Sequence, residues 1–144
     1  TAIGPFIRLF DSTFTLDDVR RADLTLTVTG PDGFVLDGSS TMREISRDPL
    51  DLVAQTTAMH QYPDGFVLFC GTLFAPTQDR GAPGSGFTHH VGDIVRIRSG
   101  RLGELVNRVE KSEALAPWRY GVRDDAYGGA PSNEPIVINL DEAA

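Results

Sequence analysis

The sequence predicts an α+β domain, mainly β, built on a largely antiparallel sheet or barrel, and three observations point there. Leu24, Leu26 and Val28 alternate with Thr25, Thr27 and Thr29, turn chemistry follows at Gly30-Pro31-Asp32-Gly33, and an apolar run returns at Phe34-Val35-Leu36. Period-two alternation interrupted by Gly-Pro-Asp-Gly is the pattern of a hairpin. A second pair of strand-like runs, 94–98 and 102–109, is joined by Ser99-Gly100-Arg101. Between the two pairs lies a helical segment, and hairpins mixed with helix in one chain define the class.

The helix is expected over residues 49–59. Asp48 suits its N-cap, Pro49 its first position, and Leu50, Val53, Ala54 and Thr57 share a face. Tyr62-Pro63-Asp64-Gly65 ends it. A shorter helical turn is expected near 12–21, where Thr15 followed by Asp18 forms a capping-box variant with acids at the positive helix end. Asp37-Gly38-Ser39-Ser40-Thr41 reads as a polar loop. Residues 66–70, Phe-Val-Leu-Phe-Cys, show no alternation, which predicts a strand covered on both faces. Residues 71–92 are rich in Gly and Pro, and a loop of that length inside a compact domain is usually functional or mobile. The expected division is a core of residues 1–115 and a tail or arm of 116–144, which ends in a short strand at Ile136-Val137-Ile138.

The 144 residues suit one domain with a sizeable core, and 40% hydrophobic content excludes general disorder. Net charge is −7 with a pI near 4.8, which argues against nucleic acid or an anionic membrane as the main partner. No run approaches 18 uncharged apolar residues, so no transmembrane span is expected. Cys70 is the single cysteine and cannot form an internal disulfide, which fits a reducing, cytoplasmic compartment. Thr1 is not an initiator Met and no basic-then-apolar leader follows it, so the chain is expected to be part of a longer one.

Catalytic patterns are sparse. His89 and His90 are adjacent, so on an extended chain they point to opposite sides and do not share one ion easily; His60 falls at a helix C-terminus, where the dipole favours an imidazolium. The carboxylates form no Asp-x-Asp-x-Asp-Gly loop and no Glu-x-x-His pair, and Gly84-Ser85-Gly86 has no strand leading into it as a nucleophile elbow requires. No Walker loop or dinucleotide fingerprint is present. One pair stands out. Gly71 and Thr72 close the apolar run, where a Gly permits close approach to the backbone and a Thr offers a hydroxyl and an N–H to a carboxylate or carbonyl. An ordinary strand-end Thr and a ligand contact are both compatible with that pattern.

The order of segments resembles the fumarylacetoacetate hydrolase family, from about Thr1 to Val109. Ile3-Gly4-Pro5-Phe6-Ile7 looks like the family's entry into the second half of its catalytic domain. Leu68-Phe69-Cys70-Gly71-Thr72 is similar to its Thr-Gly-Thr strand, with Cys70 as a departure. Val91-Gly92-Asp93-Ile94-Val95 matches a Pro-Gly-Asp-x-Val turn, and the run from Leu102 through Asn107 to Val109 matches a Gly-x-Leu-x-Asn-x-Val ending. Residues 61–66 look closer to the branch containing 2-keto-3-deoxy sugar-acid dehydratases than to the diketone hydrolases.

The resemblance implies the later portion of a mixed β-sheet, β-roll-type barrel. It implies a divalent ion (Mg, Mn or Ca) that chelates a small 2-oxo acid and stabilises enolate charge while a C–C or C–O bond breaks. The ion's ligands would be a Glu-x-Glu motif and an Asp, and no Glu-x-Glu occurs here, so they are expected upstream of Thr1 and no metal ligand is assigned in this chain. Thr72 would bind the substrate carboxylate or oxyanion, Gly71 would leave room, and residues 74–87 would border the pocket. A homodimer, or pairing with a chain that supplies the missing half, is the implied assembly. The alternatives are a non-catalytic binding or structural domain that lacks the metal site, and a small domain whose acidic tail binds a protein partner.

Overall fold

A computed structural model describes residues 2–4, 6–71 and 74–117, together with the backbone of 137–138. The first element is a short helix, α1 (Leu16–Arg20). At its start the Asp18 carboxylate accepts from the Thr15 N–H at 2.8 Å and the Thr15 hydroxyl at 2.9 Å, as the capping-box spacing anticipates. The hairpin follows as β1 (Asp23–Thr29) and β2 (Val35–Thr41), antiparallel, with Leu24 opposite Ser40, Leu26 opposite Gly38 and Val28 opposite Leu36.

Residues 37–41, expected as a polar loop, are instead the second half of β2. The ladder needs backbone N–H and C=O groups rather than apolar side chains, and the outer edge of β1 offers partners along its whole length. After a 3-10 turn at Met42–Glu44 comes α2 (Pro49–Thr57), capped by Asp48, whose carboxylate accepts from the Leu50 N–H at 2.9 Å. The same carboxylate accepts from Arg20 Nε at 2.6 Å and so ties α1 to α2. No residue of α2 is buried; Leu50 is 54% exposed, so the helix's apolar face covers none of the core.

The strand expected at 66–70 does not form. The chain between Gly65 and Gly71 is irregular, with Val67 62% and Phe69 55% exposed and Cys70 half-buried rather than enclosed. A central strand needs a neighbour on each edge, and β1 already has β2 on one side and β3 (Ile94–Ser99) on the other. Gly65 and Gly71, both at positive φ (81° and 85°), turn the chain at the two ends of the segment.

β4 (Gly103–Val109) follows β3 through the turn expected at 99–101. The sheet order is β2-β1-β3-β4-β5, antiparallel except for β5 (Val137–Ile138), whose backbone runs parallel to the end of β4. That pairing places the expected terminal strand at 137–138; the rest of the expected tail beyond residue 117 lies outside the described residues. The architecture is thus mainly β within the α+β class. Among the described residues no helix is long and apolar enough to cross a membrane.

The register sorts the side chains into two faces. Val28, Leu36, Val95 and Val109 form the buried centre of one face, with Leu26, Phe34, Phe74, Phe87 and Ile97 packed against it. The other face carries Thr25, Thr27, Arg96 and Glu104, joined by a 3.0 Å bond from the Thr27 hydroxyl to Asp37 and a 3.4 Å contact between Arg96 and Glu104. What covers the apolar face is the irregular segment 74–92, not a helix.

That segment is organised by two carboxylates. Asp79 accepts from the N–H groups of Gly84 and Gly86, both at 2.7 Å. Arg80 then turns inward, its side chain 2% exposed, and its guanidinium meets the fully buried Asp93 through Nη1 at 2.5 Å and Nη2 at 2.9 Å. Nη2 also reaches both oxygens of Asp32 at 3.1 Å, and the guanidinium lies 4.5 Å from the centre of the Phe34 ring. A side chain at Gly30 would collide with both Asp32 and Arg80, so the hairpin turn needs Gly there for space.

Burial by itself would raise the Asp93 carboxyl, but the Arg80 guanidinium and the His90 N–H outweigh it and hold the group below the ordinary carboxylate range. A carboxyl lowered in the folded state contributes its full stabilisation above the unfolded value near pH 4 and loses it as pH falls through the lower folded value. Asp93→Asn is therefore expected to cost about 3 kcal/mol at pH 7. Urea unfolding as a function of pH should show the gap between variant and wild type narrowing below about pH 4.

Candidate functional site

The candidate site is a cavity of about 350 Å³ on the apolar face of the sheet. Its floor is Leu24 and Leu26 of β1 with Ile97 of β3, one wall is Ser39 and Ser40 of β2, and the ring of Phe74 and the backbone of Gly71 complete it. Phe74 reaches this position because Gly38 opposite Leu26 has no side chain; a Cβ there would collide with the ring. The second half of β2 thus does two things, pairing β1 and seating the first aromatic residue of the covering segment.

Gly71 lies at the cavity's edge. Its φ of +85° is a conformation that Gly adopts freely, and among the described residues no atom beyond its chain neighbours lies within 4 Å of where a Cβ would stand, so these residues leave the space beside it open. Thr72, its expected partner in binding, lies outside the described residues. Of the loop expected to border the pocket, Phe74 does so. Phe87 instead packs on the core, its ring 6.1 Å from that of Phe34, and Arg80 is committed to Asp93.

Among the described residues no charged side chain lines this cavity; of its polar lining residues Ser40, opposite Leu24, shares the apolar face, whereas Thr25 and Ser39 belong by register to the other face and line the cavity's edge with backbone. Chemically it suits the apolar body of a small molecule, with a hydroxyl to orient it. The adjacent histidines serve different carboxylates, as their spacing requires: His89 Nδ1 is 3.5 Å from Asp93 and His90 Nδ1 is 3.6 Å from Asp32. His60 lies beyond the end of α2 with its ring 6.5 Å from that of Tyr62. Among the described residues no three His, Cys, Asp or Glu side chains cluster so as to hold a metal ion.

Two features escaped the sequence reading. Arg80 is one Arg in a Gly- and Pro-rich loop, 13 positions from Asp93, and nothing in its neighbours marks it as the buried one. The other is a second cleft, of about 380 Å³, between the end of α1, the Met42–Glu44 turn and the β3–β4 turn, into which Arg21, Arg43 and Arg101 converge. Three residues so far apart in the chain leave no local signal. No protein family, no curated protein and no solved structure matches the chain.

The open space beside Gly71 separates backbone strain from crowding. Gly71→Val should cost about 1–2 kcal/mol through the left-handed backbone alone, whereas Gly71→Asn, whose side chain tolerates that region, should cost less. Urea denaturation of the two variants checks the order.

Proposed function

We propose that this chain forms the substrate-side wall of the active site in a metal-dependent enzyme of the fumarylacetoacetate hydrolase type, which acts on a small 2-oxo acid by C–C hydrolysis or dehydration. The observation that carries the reading is the position of Gly71. The residue that the ordered motifs assign to the pocket edge stands in a left-handed conformation, with open space beside it, against a cavity of about 350 Å³. The mixed β-sheet with few helices is compatible with the later portion of that family's barrel.

In this reading the chain's own residues bind and orient. Leu24, Leu26, Ile97 and Phe74 take the apolar part of the substrate and keep water from it. Ser40 offers a hydroxyl, and Thr72, the next residue after Gly71, offers its hydroxyl and N–H to the carboxylate or to the developing oxyanion. A divalent ion (Mg, Mn or Ca), held by carboxylates from outside these 144 residues, supplies the Lewis acidity. A homodimer or a companion chain in a reducing cytoplasm completes the assembly. A second reading, a non-catalytic binding or structural domain of the same type, is favoured by a cavity lining that carries no charged side chain among the described residues.

The test is Thr72→Ala in the assembled, metal-loaded protein, assayed against a panel of 2-keto-3-deoxy sugar acids and 2,4-dioxo acids. Loss of one charge-assisted hydrogen bond should lower kcat/KM by about tenfold or more, with the metal content unchanged. Unaltered kinetics would remove Thr72 from the site. Saturable binding of a 2-oxo acid without turnover would favour the non-catalytic reading.

A further inference from the structure

We propose that the cleft between α1, the Met42–Glu44 turn and the β3–β4 turn binds a small oxyanion of the phosphate type, at a site separate from the cavity beside Gly71. Three guanidinium-bearing residues, Arg21, Arg43 and Arg101, line it from three different elements, together with two carboxylates, Asp18 and Asp23. Cations gather around one cleft at a cost in mutual repulsion unless anions meet them.

The two carboxylates leave three guanidiniums only partly neutralised, with Asp23 at the cleft making no ion pair among the described residues. Asp18 is largely occupied: one oxygen accepts from the Thr15 N–H and hydroxyl at 2.8 and 2.9 Å, and the other accepts from Arg101. Arg21 stands 3.9 Å from that second oxygen, too far for a hydrogen bond. Among the described residues the Arg43 guanidinium has no carboxylate partner. Arg101 is held in place, since it also donates to the Thr13 carbonyl at 2.5 Å and lies 5.8 Å from the centre of the buried Phe14 ring. The result is one fixed guanidinium and two with donors to spare around about 380 Å³.

An oxyanion with several acceptor oxygens fits that set, because each guanidinium fork can present two N–H groups to a phosphate. Asp18 acts as an internal competitor, since it neutralises part of the charge that the ligand would meet. The chain's net charge of −7 opposes any anion at long range. That field is screened beyond about 8 Å at physiological salt, so the guanidiniums within contact decide the outcome.

The probe is inorganic phosphate, titrated into the full chain at constant ionic strength and followed by NMR of the arginine side chains and by calorimetry. Wild type should show saturable binding with shifts at Arg21, Arg43 and Arg101. Arg43→Gln, an exposed change that breaks no contact among the described residues, should weaken it about tenfold. Asp18→Asn, which keeps an acceptor for Thr15, should tighten it. Arg96→Gln, the same charge change on the sheet's polar face, should leave it as it was. The proposal is overturned if no saturable binding occurs, if chloride produces the same shifts, or if Arg96→Gln weakens binding as much as Arg43→Gln.

Discussion

A guanidinium removed from water costs several kcal/mol unless a carboxylate and further hydrogen bonds replace its hydration. Arg80 meets that condition with the fully buried Asp93 and with Asp32, and each partner comes from a different part of the chain. Arg80 belongs to the covering segment, Asp93 to the turn that leads into β3, and Asp32 to the β1–β2 turn. Removal of Arg80 or Asp93 leaves a buried charge without its counterpart, and the half-exposed Asp32 adds a second carboxylate to the same guanidinium, so the three positions are held together. Because β1 and β3 are neighbours in the sheet but far apart in sequence, this contact links the two hairpins across the loop that separates them. It also sets how closely that loop lies on the sheet.

The candidate site follows from the same arrangement. A sheet with one apolar face has to be covered, and here the cover is a glycine-rich segment that contributes single aromatic rings rather than a continuous helical surface. Phe34 and Phe87 fill the middle around Val28 and Val95, while Phe74 sits over Gly38, and among the described residues no further ring covers the face beyond it. The cavity beside Gly71 is the part of the apolar face that these rings leave open. A pocket made this way is apolar by construction, since its floor is the sheet's apolar face and the segment above was placed to cover that face.

The parts of the fold that depend on neighbours in sequence were legible. Alternation at 24–28 with Gly30-Pro31-Asp32-Gly33 marks the first hairpin, Ser99-Gly100-Arg101 the second, and Asp48-Pro49 the start of α2, each through turn or cap chemistry that acts over a few residues. Pairing choice across the sheet is not local. Residues 66–70 have strand-like composition but join no strand of the sheet, whose β1 is already paired on both edges by β2 and β3, and residues 37–41 have loop-like composition but lie opposite a strand that needs a partner. The apolar face of α2 has correct helical spacing and still covers no core, since amphipathic spacing states a preference for burial without naming a surface. Of the candidate site, Gly71 was readable as a glycine closing an apolar run. The pocket floor was not, because it combines residues from β1, β2 and β3 that only the register brings together.

Arg80 and Asp93 act as one unit, and a double-mutant cycle in urea measures that coupling. Arg80→Met and Asp93→Leu each strand a buried charge, whereas the combined replacement leaves apolar groups facing each other. With that coupling in place, the double variant is expected to be more stable than the sum of the single losses by about 2 kcal/mol or more. Losses that add to within about 0.5 kcal/mol would contradict it.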